Sequence, residues 1–288
     1  MTEATPMWPS DVLQADASGQ HPGLAWRLGG RTPPSTAVAP GANPDVKWQA
    51  ERYRATHVQN TCKLARCASQ PQHPHGALYH QTLKRRTTWL TQVQRANLAC
   101  LRIDGRLKTG VGEPGVFECQ VALHPVTGMP RLVGSGLHGL LASWCFDRYD
   151  TLDPATRPPR DDLLALFGNR WGEPDVIAGH LTVYDAWWQP EEANARGPLE
   201  PEVDTPHHVD YYAGRASEAT DFDSPSPQPQ IAVAGQFQFA LSVRGDADDR
   251  AWAGLCMQWL TLALVEVGTG ASRRVGYGRF QPPTAQGK

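Results

Sequence analysis

Three arginines set among four glycines sit close to the end of the chain. Gly268, Gly270, Gly276 and Gly278 surround Arg273, Arg274 and Arg279 in the run from Gly268 to Phe280. Arginine presents a planar fork of N–H donors that matches a phosphate. Glycine turns the backbone through positive φ and lets another chain come close to it. Together they describe a loop that holds a polyanion against exposed backbone amides. The plainer reading is a glycine-rich turn with a solvated basic edge. A second segment has the same character: Gly134, Ser135, Gly136, Leu137, His138 and Gly139. Ser135 is suited to cap a helix continued by Leu137, Leu140, Leu141 and Trp144, and a helix N-terminus with free amides attracts anions. The plainer reading here is an ordinary capped helix, packed closely through its glycines.

The elements around the C-terminal loop decide its kind. Asp248 and Asp249 are good N-cap residues. Trp252, Leu255, Cys256, Trp259, Leu260, Ala263, Leu264 and Val267 then recur at helical steps, and Gly268 ends the stripe. Val275 to Phe280 is short, aromatic and followed by Pro282-Pro283, so it reads as a final strand. Helix, loop, strand is the reverse of the order in dinucleotide and Walker-type loops, and the spacing is not Gly-x-Gly-x-x-Gly. No nucleotide cofactor is expected, and no other cofactor is called for.

The chain has 288 residues, 27 Lys and Arg against 29 Asp and Glu, and six cysteines. No apolar stretch approaches the ~20 residues of a membrane span, and no signal peptide is visible at the N-terminus. A cytoplasmic protein with reduced thiols and no membrane partner is expected. The small net charge hides an asymmetry. Lys47 to Arg148 holds 14 basic residues against 5 acidic ones, whereas Thr151 to Asp223 holds 5 against 15. A basic surface is what RNA contact requires.

Residues 1–45 are rich in Pro, Gly, Ala, Ser and Thr and read as a disordered tail. A single domain is expected over 46–288. Helices are expected over 46–95 (Val46–Leu64 and Leu78–Arg95), with Pro71 and Pro74 between them. Leu101, Ile103 and Leu107 alternate with Arg102, Asp104, Arg106 and Lys108, which predicts a half-buried strand with a basic open face. Phe117 to Leu123 alternates again, and Thr127 to Pro130 turns the chain. Ala178–Ala186 and Ile231–Val243 read as strands. An acidic, proline-rich insertion is expected over about 187–229, holding Trp187-Trp188 and Tyr211-Tyr212, which could stack bases but more commonly pack. The order strand, helix, strand, strand, helix, strand over 98–280 is that of a ferredoxin-like or RNA-recognition-motif fold, an α+β class.

Two further clusters invite chemistry. Cys62 and Cys67 with His57, His73, His75 and His80 could bind zinc, but the histidine spacing is irregular, and packed thiols and surface histidines are the preferred reading. His207, His208 and Asp210 could suggest a metal hydrolase or a histidine ribonuclease, since RNA cleavage needs only two well-placed titrating groups. But no second clear ligand cluster appears in the sequence, and catalysis is not the preferred reading.

These segments resemble a known family. Gly134 to Leu141 is similar to the Pro-Gly-Ser-Ser-Leu-Lys-Gly segment of the CRISPR-associated RAMP superfamily, and Gly268 to Phe280 to its C-terminal glycine-rich loop. Leu181 to Ala186 following Leu166-Phe167-Gly168, then Thr205-Pro206-His207-His208 with Tyr211-Tyr212, resembles the sixth Cmr subunit of type III-B effectors. The resemblance covers about Leu98 to Phe280. It departs at His138, where the family has lysine, and at Val133, where it has proline. It implies a non-catalytic, guide-RNA-binding subunit placed near the guide 3′ end. Such a subunit contacts the backbone and 3′-end-capping RAMP subunits, and target RNA through the guide. Gly134, Ser135, Gly136 and His138 would contact phosphates. So would Arg273 and Arg274, with Gly276 and Gly278 allowing close approach. Arg102, Arg106 and Lys108 would extend a basic track. Two alternatives remain: a metal-independent RAMP-like endoribonuclease with His138 or His207 as acid or base, and a protein-only scaffold.

Overall fold

The computed structural model describes residues 44–111, 121–153, 159–169, 178–190, 197–245 and 249–283, without the side chains of residues 44–51, 53 and 249. The tail expected over residues 1–45 lies outside this range but for its last two residues, and so do Phe117 and Cys119. In chain order the elements are α1 (Pro44–Ser69), α2 (Pro74–Thr88), β1 (Asn97–Arg102), β2 (Arg131–Leu132), α3 (Gly134–Thr151) and α4 (Arg160–Phe167). There follow β3 (Leu181–Val183), β4 (Ala186–Gln189), β5 (Leu199–Asp204), α5 (Val209–Tyr212), β6 (Gln228–Val233), β7 (Gln236–Val243) and α6 (Asp249–Glu266). A π-turn over Trp89–Val93 continues α2, and a 3-10 turn occupies Arg273–Val275.

The chain divides into two compact units. The first draws on Met1–Gly76, Gly110–Met129 and Ala195–Val233. Here β5 and β6 pair antiparallel, from Leu199 opposite Val233 to Asp204 opposite Gln228, and pack on α1. Val58, Cys62, Leu64, Ala65 and Ala68 are the buried apolar stripe of α1. Gly197, at φ +81°, lets the hairpin approach that helix: a Cβ there would lie 2.8 Å from the Cα of Arg66. The stretch read as an acidic insertion therefore contributes paired β structure. The connection between the strands is fastened by His208 Nδ1, 2.7 Å from one carboxylate oxygen of Asp223, whose other oxygen accepts from the Thr220 hydroxyl.

The second unit comprises Ala77–Thr109, Pro130–Asn194 and Ala234–Lys288. Its antiparallel sheet runs β1, β7, β4, β2, with β3 also paired to β7. Phe280 bridges Ile103, just beyond β1, on the side away from β7. Taken in chain order, β1, α3, β3 with β4, β7, α6 and the Phe280 segment reproduce the expected ferredoxin-like succession, and the class is α+β. β7 is buried on both faces. Phe239 meets Phe280 edge-on at 5.3 Å on the face that α6 covers, and the Phe280 N–H donates to the Leu264 carbonyl of α6. The other face holds Gln238 and Ala240, which meet α2: Arg86 and Thr87 bond the Gln238 side chain, and Leu90 and Ala96 pack with Ala240. Trp187 pairs with Gln238 and lies under Arg86, whose guanidinium is 4.6 Å from the ring centre. Trp187 and Trp188 thus belong to the central sheet, not to the insertion.

Several boundaries differ from the sequence pattern, each for a local reason. The strand read over Ile231–Val243 breaks at Gly235, φ +98°, and its halves join different sheets. The strand read from Leu101 begins at Asn97 and ends at Arg102, because Gly105 turns the chain at φ +81°. Leu101, Ile103 and Leu107 are buried as the alternation requires, but so is Lys108. The strand expected over Val275–Phe280 is a 3-10 turn followed by one isolated bridge. Among the described residues, no helix is long and apolar enough to cross a membrane.

Asp185, in the break between β3 and β4, fastens three pieces of the second unit. One carboxylate oxygen accepts the Gly134 N–H at 2.8 Å, the other accepts from Arg131 at 2.7 Å, and its carbonyl accepts from Arg86. Burial lowers the Arg86 guanidinium to about 10, so it stays charged at neutral pH. Asp185→Ala leaves an amide and a guanidinium without their acceptor. It is expected to cost about 1–3 kcal/mol in urea unfolding at pH 7, with Asp185→Asn costing less.

Candidate nucleic-acid interface

Backbone contacts fix the glycine loop before any side chain acts. Gly268, φ +73°, follows the end of α6 and donates its N–H to the Ala263 carbonyl. Thr269 donates to Gly278, Gly278 to Arg106 and Ala271 to Lys108, each within 2.8–2.9 Å. The loop thereby closes on itself and lies along residues 106–108. Side chains would prevent this. A Cβ on Gly278 would stand 1.9 Å from the Thr269 carbonyl oxygen, and one on Gly270 2.3 Å from that of Lys108. Gly276, φ +98°, has open space around it and serves the turn. Between these glycines the 3-10 turn lifts Arg273 and Arg274 into solvent.

The second expected anion site is built differently from the sequence reading. Val133, not Ser135, is the N-cap of α3, and its own side chain makes no capping bond. The Gly134 amide is taken by Asp185 and the Gly136 amide by the Val133 carbonyl, so neither is a spare donor. Gly134 is a packing glycine whose Cβ would lie 2.3 Å from the Val183 carbonyl oxygen. Ser135 and Gly136 are exposed, and nothing stands within 4 Å of where a Gly136 Cβ would be. His138 packs edge-on against Phe167 at 5.7 Å, and burial holds its imidazole below the ordinary range. It is neutral at pH 7 and is no substitute for the family's lysine.

The two segments nevertheless meet. A cleft of about 470 Å³ is lined on one side by Gly136, Leu140, Ser143, Trp144, Asp147 and Arg148 of α3. Val267, Gly268, Thr269, Gly270 and Arg273 line the other. In its wall the Trp144 indole N–H donates to Glu266 at 2.9 Å, and Arg148 bonds the same oxygen at 2.5 Å. The Arg148 guanidinium lies 4.6 Å from the Trp144 ring centre. The hydrogen bond from Trp144, and then that from Arg148, hold the Glu266 carboxyl below its usual range. These residues were not among the sequence candidates. The available signal was the Leu140, Trp144, Arg148 spacing of four, which puts all three on one helix face.

The other expected residues lie apart from the cleft lining. Arg102 is exposed and Arg106 half-buried, but Lys108 is 4% exposed with its ammonium 4.3 Å from the Tyr277 ring centre. The expected basic track therefore loses its third member to packing. Among the described residues no three His, Cys, Asp or Glu gather as a metal site. Burial, and secondarily Glu200, pushes the Cys62 thiol up to about 12.

The sequence profile of the RAMP superfamily matches residues 100–281. Among solved structures, a cryo-EM structure of the type III-B Cmr-beta bound to cognate target RNA matches with TM-score 0.58 and 16% identity, over 83% of this chain and 74% of that one. A crystal structure of Cmr6 from Pyrococcus furiosus matches with TM-score 0.41 and 20% identity, over 65% and 98%. A CRISPR RNA-guided surveillance complex matches with TM-score 0.38 and 13% identity, over 65% of each chain. At these identities the likeness is one of fold. A search of curated protein sequences gives no match.

The glycines sort into two experimental classes. Gly278→Ala meets backbone at φ +75° and is expected to cost more than about 3 kcal/mol in chemical unfolding. Gly136→Ala lies in open space within a helix and is expected to stabilise by about 0.5–1 kcal/mol.

Proposed function

We propose a function from one premise: the chain belongs to the RAMP superfamily. It acts as an RNA-binding subunit of a type III-B CRISPR (Cmr) effector ribonucleoprotein. It seats the sugar–phosphate backbone of the guide RNA near the 3′ end and assembles with the backbone and 3′-end-capping RAMP subunits. Target RNA is met through the guide, so base pairing, not this chain, reads sequence. The setting is the cytoplasm, and cutting is left to another subunit.

One observation carries this reading. The helix start and the arginine-bearing loop, far apart in sequence, line one cleft through Gly136 and Arg273. The rest of the fold supports it. RNA-recognition motifs stack bases on the open sheet face, but here α2 covers that face through Arg86, Leu90 and Tyr79. The loop after α6 and the outer face of α3 are left for RNA. The Cmr-beta structure that shares the fold over 83% of this chain holds target RNA.

Arg273 and Arg274 are exposed, so their joint replacement by alanine is expected to leave the melting temperature within about 1 °C. A filter-binding titration with single-stranded RNA tests their role. Loss of two phosphate contacts lowers the slope of log K against log salt by about 1.4 and weakens binding at least tenfold. An unchanged affinity and slope would overturn the reading.

A further inference from the structure

We infer that the stacked Trp144–Arg148 pair is a nucleobase shelf, so that the cleft takes one base of single-stranded RNA as well as its phosphates. This deepens the reading above and rests on it.

The charges of the cleft separate two kinds of surface. Arg273 comes from the loop with its guanidinium in solvent. Arg148 differs: its charge is matched by Glu266 at 2.5 Å, and Asp147 lies beside it on the lining. A phosphate brought to that part of α3 would face two carboxylates. What Arg148 and Trp144 offer is flat, polarisable area. Gly136 and Asp147 are eleven residues apart on α3, about 16 Å along the helix axis, so a base can lie well away from the phosphate that enters over Gly136.

The shelf is also ordered in advance. One oxygen of Glu266 holds both the indole N–H and the guanidinium, and the guanidinium lies on the ring. Little side-chain freedom remains to be lost when a base arrives, which favours binding. Every base has a π-face, and stacking on aromatic rings or guanidinium planes is tolerant of sequence. That is the behaviour required of a chain that leaves sequence to the guide. Leu140, one helical turn before Trp144, extends the apolar floor.

The test uses the full chain, with two single-stranded probes of equal length: an ordinary oligoribonucleotide and one whose residues are abasic. Wild type is expected to bind the ordinary strand about tenfold more tightly. Trp144→Leu removes that advantage, with no change on the abasic strand and no change in salt slope, and Trp144→Phe restores most of it. Arg148→Gln, an exposed position, is expected to lose about threefold on the ordinary strand alone, and it carries the test if Trp144→Leu fails to fold. Equal weakening on both strands, or no effect on either, overturns the shelf. Arg273→Ala with Arg274→Ala weakens both strands alike, so a failure there is distinguishable as a failure of the backbone reading. A wild-type chain that binds neither strand removes both.

Discussion

The close approach of backbone to backbone at the end of α6 is the constraint on which the site depends. Gly268, Gly270 and Gly278 each take positive φ and each bring a would-be Cβ within 2.6 Å of a carbonyl oxygen. Only glycine meets both conditions. The hydrogen bonds from Thr269, Ala271 and Gly278 then tie the loop to itself and to residues 106–108. Because the loop is held by its own backbone, its arginines are free of structural duty and can face outward. Held by side chains instead, the same loop would have to turn those groups inward, as Lys108 does under Tyr277.

The helix opposite is placed by a different device. Asp185 occupies the N-terminal amide of α3 that an external anion would otherwise use, and links it to Arg131 and Arg86. The helix start has exchanged anion binding for fixed position. Its contribution to the cleft is space at Gly136 and, further along, the Trp144, Arg148 and Glu266 contact. In the proposed function, positive charge for a polyanion therefore comes from the loop, and flat surface comes from the helix.

Much of this was legible in the sequence, and the rest had physical reasons to be hidden. Periodicity located α3, α6 and β7, and the order of elements specified the ferredoxin-like unit. The glycine loop and the α3 start were singled out by residue type and do line one cleft. The final strand was misread because Val275 to Phe280 has strand-like composition, while two positive-φ glycines, Gly276 and Gly278, set its path. Lys108 looked outward by alternation, but Tyr277 of the glycine loop, far away in sequence, covers its ammonium. The capping role given to Ser135 failed because a carboxylate 50 residues later in the chain supplies the acceptor. No local pattern announces such a partner. Trp144 and Glu266 were invisible as a pair for the same reason: each reads as a helix residue, and only the packing of α3 against α6 joins them.

The proposed function requires RNA to enter between the loop after α6 and the outer face of α3. Ultraviolet crosslinking of the bound chain to single-stranded RNA, with the attached peptides identified by mass spectrometry, examines that placement directly. Adducts confined to peptides spanning 134–148 and 267–279 are the predicted result. Adducts on the β5–β6 hairpin or α1, with those two peptides unmodified, would contradict it.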